Sequence, residues 1–121
     1  MKHDRIFCFG DSITLGANDS SGLGWPARLG RGLERNGKSV AIYNLGINGD
    51  TSHDIAVRWH AESTARNRNA TGLMLFAFGF NDASRADGGG LQIPLDESID
   101  CARDLMRAAK SRGEVLWIGP T

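Results

Sequence analysis

Arg5-Ile6-Phe7-Cys8-Phe9-Gly10-Asp11-Ser12-Ile13-Thr14 is the stretch on which the reading of this chain turns. Four of the five residues from Arg5 to Phe9 suit a buried strand, and Gly10 breaks it. Asp11 and Ser12 then fall at the carboxyl end of that strand. In open α/β sheets, ligands bind just outside such strand ends. A serine held there on a tight turn exposes its hydroxyl, which makes Ser12 the candidate nucleophile.

Downstream of Ser12, residues Ala17 to Gly24 form a polar, glycine-rich loop, expected to be mobile and to border a substrate. A helix is predicted from Trp25-Pro26, because proline is favoured in a first turn. Trp25, Leu29 and Leu33 recur every four residues along one face, and Asn36-Gly37 stops the helix. Val40 to Tyr43 reads as a second strand, followed by a loop from Asn44 to Asp50. A second helix starts near Thr51, with Thr51 or Asp50 as its cap, and runs through Ile55, Ala56 and Trp59 towards Asn67. Leu73 to Phe78 is apolar throughout, as expected of a central parallel strand covered on both faces. Gly79-Phe80-Asn81-Asp82 follows it, then a loop rich in glycine. A third helix, roughly Leu95 to Ser111, carries Ile99, Ala102, Leu105, Met106 and Ala109 at helical spacing. Val115 to Ile118 is a fourth strand. The order β-α-β-α-β-α-β favours a parallel sheet with right-handed crossovers and helices on both faces. This architecture normally adds another helix and strand, so the chain reads as one domain over residues 1–121, truncated after its fourth strand.

With 121 residues the chain can build one core and not two. Its net formal charge is zero, with no long basic or acidic run, so neither nucleic acid nor an anionic membrane is expected as a partner. No apolar stretch is long enough to span a bilayer, and the start Met1-Lys2-His3-Asp4-Arg5 does not read as a signal peptide. Cys8 and Cys101, the only cysteines, read as free thilos of a buried strand and a helix, consistent with a reducing cytoplasm. The glycosylation patterns at Asn18-Asp19-Ser20 and Asn69-Ala70-Thr71 are discounted because no secretion signal is read. Trp25, Trp59 and Trp117 are expected to pack in the core or between helix and sheet.

The loops after the first three strands must share one edge of a parallel sheet. Acyl transfer needs a nucleophilic oxygen and donors aimed at the developing oxyanion. Ser12 offers its hydroxyl and its own amide. Gly49, lacking a side chain and standing near a helix N-terminus, can bring a backbone N–H close. Asn81 can supply a carboxamide N–H. Asp11 and Asp82 are expected to hold loops by accepting backbone N–H bonds, not to act in acid–base chemistry. Taken singly, each is as readily a turn or cap residue; the convergence of three loops carries the reading. No metal or cofactor is implied.

These residues resemble the SGNH (GDSL-type) hydrolases. Gly10-Asp11-Ser12-Ile13-Thr14 with Gly16 is similar to that family's first block. Asn44-Leu45-Gly46 with Gly49-Asp50-Thr51 is similar to the second, and Gly79-Phe80-Asn81-Asp82 to the third. Trp25-Pro26 with Leu29 also resembles the stretch after the first block. The resemblance implies a flavodoxin-like three-layer α/β/α sandwich that hydrolyses small-molecule esters or thioesters. It implies Ser12 as nucleophile, with Ser12, Gly49 and Asn81 forming the oxyanion hole. The family's closing D-x-x-H block has no counterpart after the fourth strand. The one such spacing, Asp50-Thr51-Ser52-His53, falls inside the second block and is read as coincidence. His60 and His3 are expected away from the strand ends. Without a base a serine hydroxyl is a poor nucleophile, so the 121 residues alone are expected to turn over esters negligibly.

Three other readings compete. Gly32 to Ser39 fits the phosphate-loop pattern, but it runs from helix into strand, the reverse of what phosphate binding requires. A flavodoxin-like signalling module would use Asp11 and Asp82 to bind Mg²⁺. An inactive fragment would self-associate as a homo-oligomer through an exposed sheet edge.

Overall fold

The computed structural model describes residues 3–68 and 72–120. The sequence pattern at Asn69-Ala70-Thr71 and the terminal residues Met1, Lys2 and Thr121 lie outside them. The elements in chain order are β1 (Arg5–Gly10), α1 (Ser12–Leu15), α2 (Gly24–Arg35), β2 (Ala41–Gly46), α3 (Ser52–Asn67), β3 (Gly72–Ala77), α4 (Phe80–Ala83), α5 (Leu95–Lys110) and β4 (Glu114–Trp117). The strands form one parallel sheet in the order β2-β1-β3-β4. This is the α/β layering that the alternating pattern and the resemblance both imply.

Side chains alternate across the strands, so each face of the sheet builds its own core. Phe7, Phe9, Met74 and Phe76 point to one face, where they meet Ile55 and Trp59 of α3 and Leu105 and Ala109 of α5. Ile6, Cys8 and Leu75 point to the other, under Trp25, Leu29 and Leu33 of α2. The four-residue repeat read from the sequence is therefore the packing face of α2. The rings of Phe9 and Phe76 stack at 5.0 Å across the β1–β3 ladder. Both are fully buried, and truncating either to alanine would cost about 3–5 kcal/mol.

The register decides where the site lies. Gly10 pairs with Gly46 of β2 and with Ala77 of β3, so three strands end level. The segments that begin at Asp11, Ile47 and Phe78 leave the sheet side by side.

Three expectations are corrected. Residues Asn44 to Gly46 belong to β2 and not to a loop, because Cys8, Phe9 and Gly10 supply the ladder that pairs with them. Ser12 opens a short helix instead of sitting on a bare turn. Trp117 is not a core residue: it meets Phe78 edge-on at 4.5 Å, yet it is 39 % exposed on the edge strand β4. Leu116 and Ile118 beside it are also exposed.

Candidate active site

Ser12 is the first residue of α1, and its position is fixed from both ends of that helix. Asp11 caps it: its backbone is extended and its carboxylate accepts from the Ile13 amide at 3.0 Å. At the other end the Asn44 carboxamide donates to the carbonyls of Thr14 (2.9 Å) and Leu15 (3.3 Å), tying α1 to β2. The close approach depends on Gly46, since a Cβ there would run into the Leu15 amide nitrogen. Thr14, fully buried, accepts from the Trp25 indole at 3.2 Å. Among the described residues no hydrogen bond reaches the Ser12 hydroxyl or its amide.

Gly49 lies in the turn between β2 and α3. Its φ of +84° is left-handed, and a Cβ there would meet nothing within 4 Å. Glycine is required by conformation here, not by space. Thr51 is the cap of α3, which resolves the alternative left open by the sequence. Its hydroxyl accepts from the Asp54 amide, and the Asp54 carboxylate accepts from the Thr51 amide at 2.9 Å, a reciprocal capping box. The Gly49 amide donates no hydrogen bond among the described residues.

Asn81 sits on α4, one turn long. Its carboxamide Nδ2 donates to the main-chain carbonyl of Asp50 at 2.9 Å, so the third loop touches the second directly. One N–H is thereby used and the other is left. Gln92 reaches back from the 83–94 loop to the Asn81 carbonyl at 3.1 Å. Asp82 is buried. One carboxylate oxygen accepts from the Ser52 amide at 2.7 Å and the other from the Ser98 hydroxyl at 2.6 Å, which ties α4 to the start of α3 and to α5.

The carboxylates of Asp11 and Asp82 are thus engaged with backbone and hydroxyl donors. Among the described residues no group of three or more His, Cys, Asp or Glu side chains gathers as a metal site.

Among the described residues no histidine bonds to Ser12. His3 precedes β1, at the far edge of the sheet, and its Nε2 pairs with Glu114 at 2.6 Å. His53 is exposed and lines a cleft between α3 and α5 with Trp59, Cys101 and Asp104. The Asp50 carboxylate goes to Arg58, not to His53, so the D-x-x-H spacing here makes no acid–base pair. His60 is exposed beside Trp59, two turns along α3. The residues that match the phosphate-loop pattern run from the end of α2 towards β2, strand and helix in the wrong order.

Two apolar clefts open beside the segments that follow β1 and β3, and neither takes a lining residue from the turn between β2 and α3. One of about 490 Å³ is lined by Asp11, Ile13, Trp25, Phe78, Phe80 and Ile118. A smaller one, about 270 Å³, lies between β4 and α5 and takes Leu91 and Ile93 from the 83–94 loop. Residues 17–24 line neither. They are gathered instead around Asp19, whose carboxylate accepts from the amides of Ser21 and Gly24 and from the Arg28 guanidinium. Those bonds, the Ser21 amide first, hold its carboxyl well below the usual range.

Sequence reasoning missed Arg58. Its guanidinium bonds to the Asp50 carboxylate (2.8 Å), the Glu62 carboxylate (2.8 Å) and the Gly10 carbonyl (3.1 Å). Only the Glu62 arm, at i,i+4, has a sequence signature. Burial pushes the Asp50 carboxyl up, against the opposing pull of Arg58.

The parallel sheet thus places Ser12, Gly49 and Asn81 on segments that leave one edge of the sheet side by side. The model of the GDSL-like lipase/acylhydrolase family matches residues 8–120, and the chain belongs to that family. Similar solved structures agree in fold. A mutant of the esterase AlinE4 superposes with a TM-score of 0.78 at 23 % identity, over 97 % of this chain and 59 % of that one. A catalytic mutant of Axe2, an acetylxylan esterase from Geobacillus stearothermophilus, gives 0.74 at 21 %, over 99 % and 62 %. The psychrotrophic esterase EstA from Pseudoalteromonas sp., inhibited by monoethylphosphonate, gives 0.75 at 18 %, over 94 % and 58 %. The chain spans about three fifths of the length of these structures. No curated protein sequence matches it significantly. Among the described residues no helix is long and apolar enough to cross a membrane.

Proposed function

We propose that the protein is a serine ester hydrolase that works through an acyl-serine intermediate. The Ser12 hydroxyl attacks the carbonyl carbon of a small-molecule ester or thioester, and its proton passes to a base. The carbonyl oxygen becomes an oxyanion, facing the amides of Ser12 and Gly49 and the second N–H of Asn81. Collapse of the tetrahedral intermediate expels the alcohol or thiol, and water then releases the acid from Ser12. Preorganised donors of this kind lower the barrier because they need no reorganisation as charge develops.

The observation that carries the reading is the level ending of β1, β2 and β3. It sets the three loops side by side, with the Ser12 and Gly49 amides free of other bonds among the described residues. The apolar clefts beside the first and third of these loops suit the acyl chain or the leaving group. No side chain among the described residues is placed to take the Ser12 proton, so residues 1–121 on their own turn over esters slowly. The 121 residues act as one hydrolase-like domain, and the buried free thiol of Cys8 supports a reducing cytoplasm as its setting.

The test is phosphonylation. The chain is treated with an ethyl fluorophosphonate, with imidazole supplied as a diffusible base. Intact mass should rise by one adduct, faster with added imidazole, and Ser12→Ala should abolish it. Uptake that survives Ser12→Ala would contradict the assignment.

A further inference from the structure

Arg58 has no part in the chemistry above, yet it touches two of the three loops. Its side chain is 15 % exposed. Nε donates to the Asp50 carboxylate at 2.8 Å and Nη2 to the Gly10 carbonyl at 3.1 Å. The guanidinium carbon lies 5.9 Å from the centre of the Phe9 ring. Gly10 stands two residues before Ser12, and Asp50 directly follows Gly49. The carbonyl of Asp50 in turn accepts from Asn81 at 2.9 Å. The guanidinium therefore joins the segments that carry Ser12 and Gly49, and the Asn81–Asp50 bond ties the third donor to them.

The bland account is a helix-surface ion pair, since Arg58 also meets Glu62 one turn on at 2.8 Å. Such pairs contribute little. Two facts go beyond it. The Gly10 carbonyl already accepts from the Ile47 amide at 3.1 Å, so the Arg58 bond is not needed to satisfy it. Moreover, Asp50 is buried, with a side chain 11 % exposed, and a carboxylate so placed needs a partner that stays. A guanidinium fork can hold a carboxylate and a carbonyl at once in fixed geometry, which a lysine cannot.

The geometry points to Arg58 as a positioning residue: its bridge from the Gly10 carbonyl to the Asp50 carboxylate sets the Gly49 amide and the Asn81 carboxamide at the spacing from Ser12 that an oxyanion requires. The inference rests on the hydrolase reading of Ser12, and its test separates the two.

Wild type, Arg58→Met, Arg58→Lys and Glu62→Gln are compared by the rate of Ser12 phosphonylation with imidazole present and by the amide ¹⁵N and ¹H shifts of Ser12 and Gly49. Arg58→Met should slow labelling by about tenfold or more and move both amides, because small misplacements of donors are costly. Arg58→Lys should recover part of the rate, and it provides the same readouts should Arg58→Met not fold. Glu62→Gln should leave rate and shifts within about twofold and near wild type, since it removes only the surface arm. Unmoved amides and an unchanged rate in the Arg58 variants would overturn the inference, as would an equal loss in Glu62→Gln. If wild type itself takes no label at Ser12, the hydrolase reading fails, and the amide shifts still decide whether Arg58 holds the two segments.

Discussion

The Asn81 carboxamide donates to the Asp50 main-chain carbonyl at 2.9 Å, across 31 positions of sequence. The bond fixes the amide plane of Asn81 and so the direction of its second N–H. A side chain free to rotate would have to be ordered as charge develops; this one is ordered in advance.

Asn81→Ala removes that donor and leaves the Asp50 carbonyl without its partner. Ser12 phosphonylation with imidazole present should fall by about 10²–10³, the usual loss for one oxyanion donor. Stability should fall far less, by roughly 1 kcal/mol for a single hydrogen bond. Labelling kinetics beside urea unfolding separate the two effects.

Gly46→Ala and Gly49→Ala should fail in different ways. At Gly46 a Cβ would strike the backbone of α1, so the main loss is in stability, on the order of 2–3 kcal/mol as for overpacking. At Gly49 there is open space but a φ of +84°, so the strain is about 1 kcal/mol. Relief of that strain would turn the amide, and the larger loss should be in activity. Melting temperature and labelling rate, measured on both variants, should rank them in opposite orders.

Burial pushes the Cys8 thiol up to about 12. It is therefore neutral and shielded at pH 8, while Cys101 is half-buried on α5. A disulfide-exchange reagent should titrate at most one thiol in the native chain and two in denaturant. The unfolded chain releases the Cys8 proton near the ordinary value of about 9, the native chain only near 12. Stability from this group is thus present below pH 9 and lost as pH rises towards 12, which urea unfolding across that range would register.

Much of the fold was legible because apolar runs leave few choices. Leu73 to Phe78 can only be a covered strand, and the α2 stripe of Trp25, Leu29 and Leu33 can only face a sheet. The candidate site was legible as three short motifs, each after a strand. The end of β2 was not, since Asn44 and Gly46 are poor strand formers held in place by the neighbouring β1. Nor was Arg58, whose bonds to Asp50 and Gly10 exist only once α3 has packed on the sheet. Trp117 was misjudged because its exposure depends on the edge position of β4, which local pattern does not encode.

The most direct measurement is a crystal structure of the Ser12 phosphonate adduct, in which the phosphoryl oxygen stands for the oxyanion. That oxygen should lie within about 2.7–3.1 Å of the Ser12 amide, the Gly49 amide and Asn81 Nδ2 together. An adduct on Ser12 whose oxygen faces solvent, with Gly49 and Asn81 out of reach, would contradict the oxyanion-hole assignment.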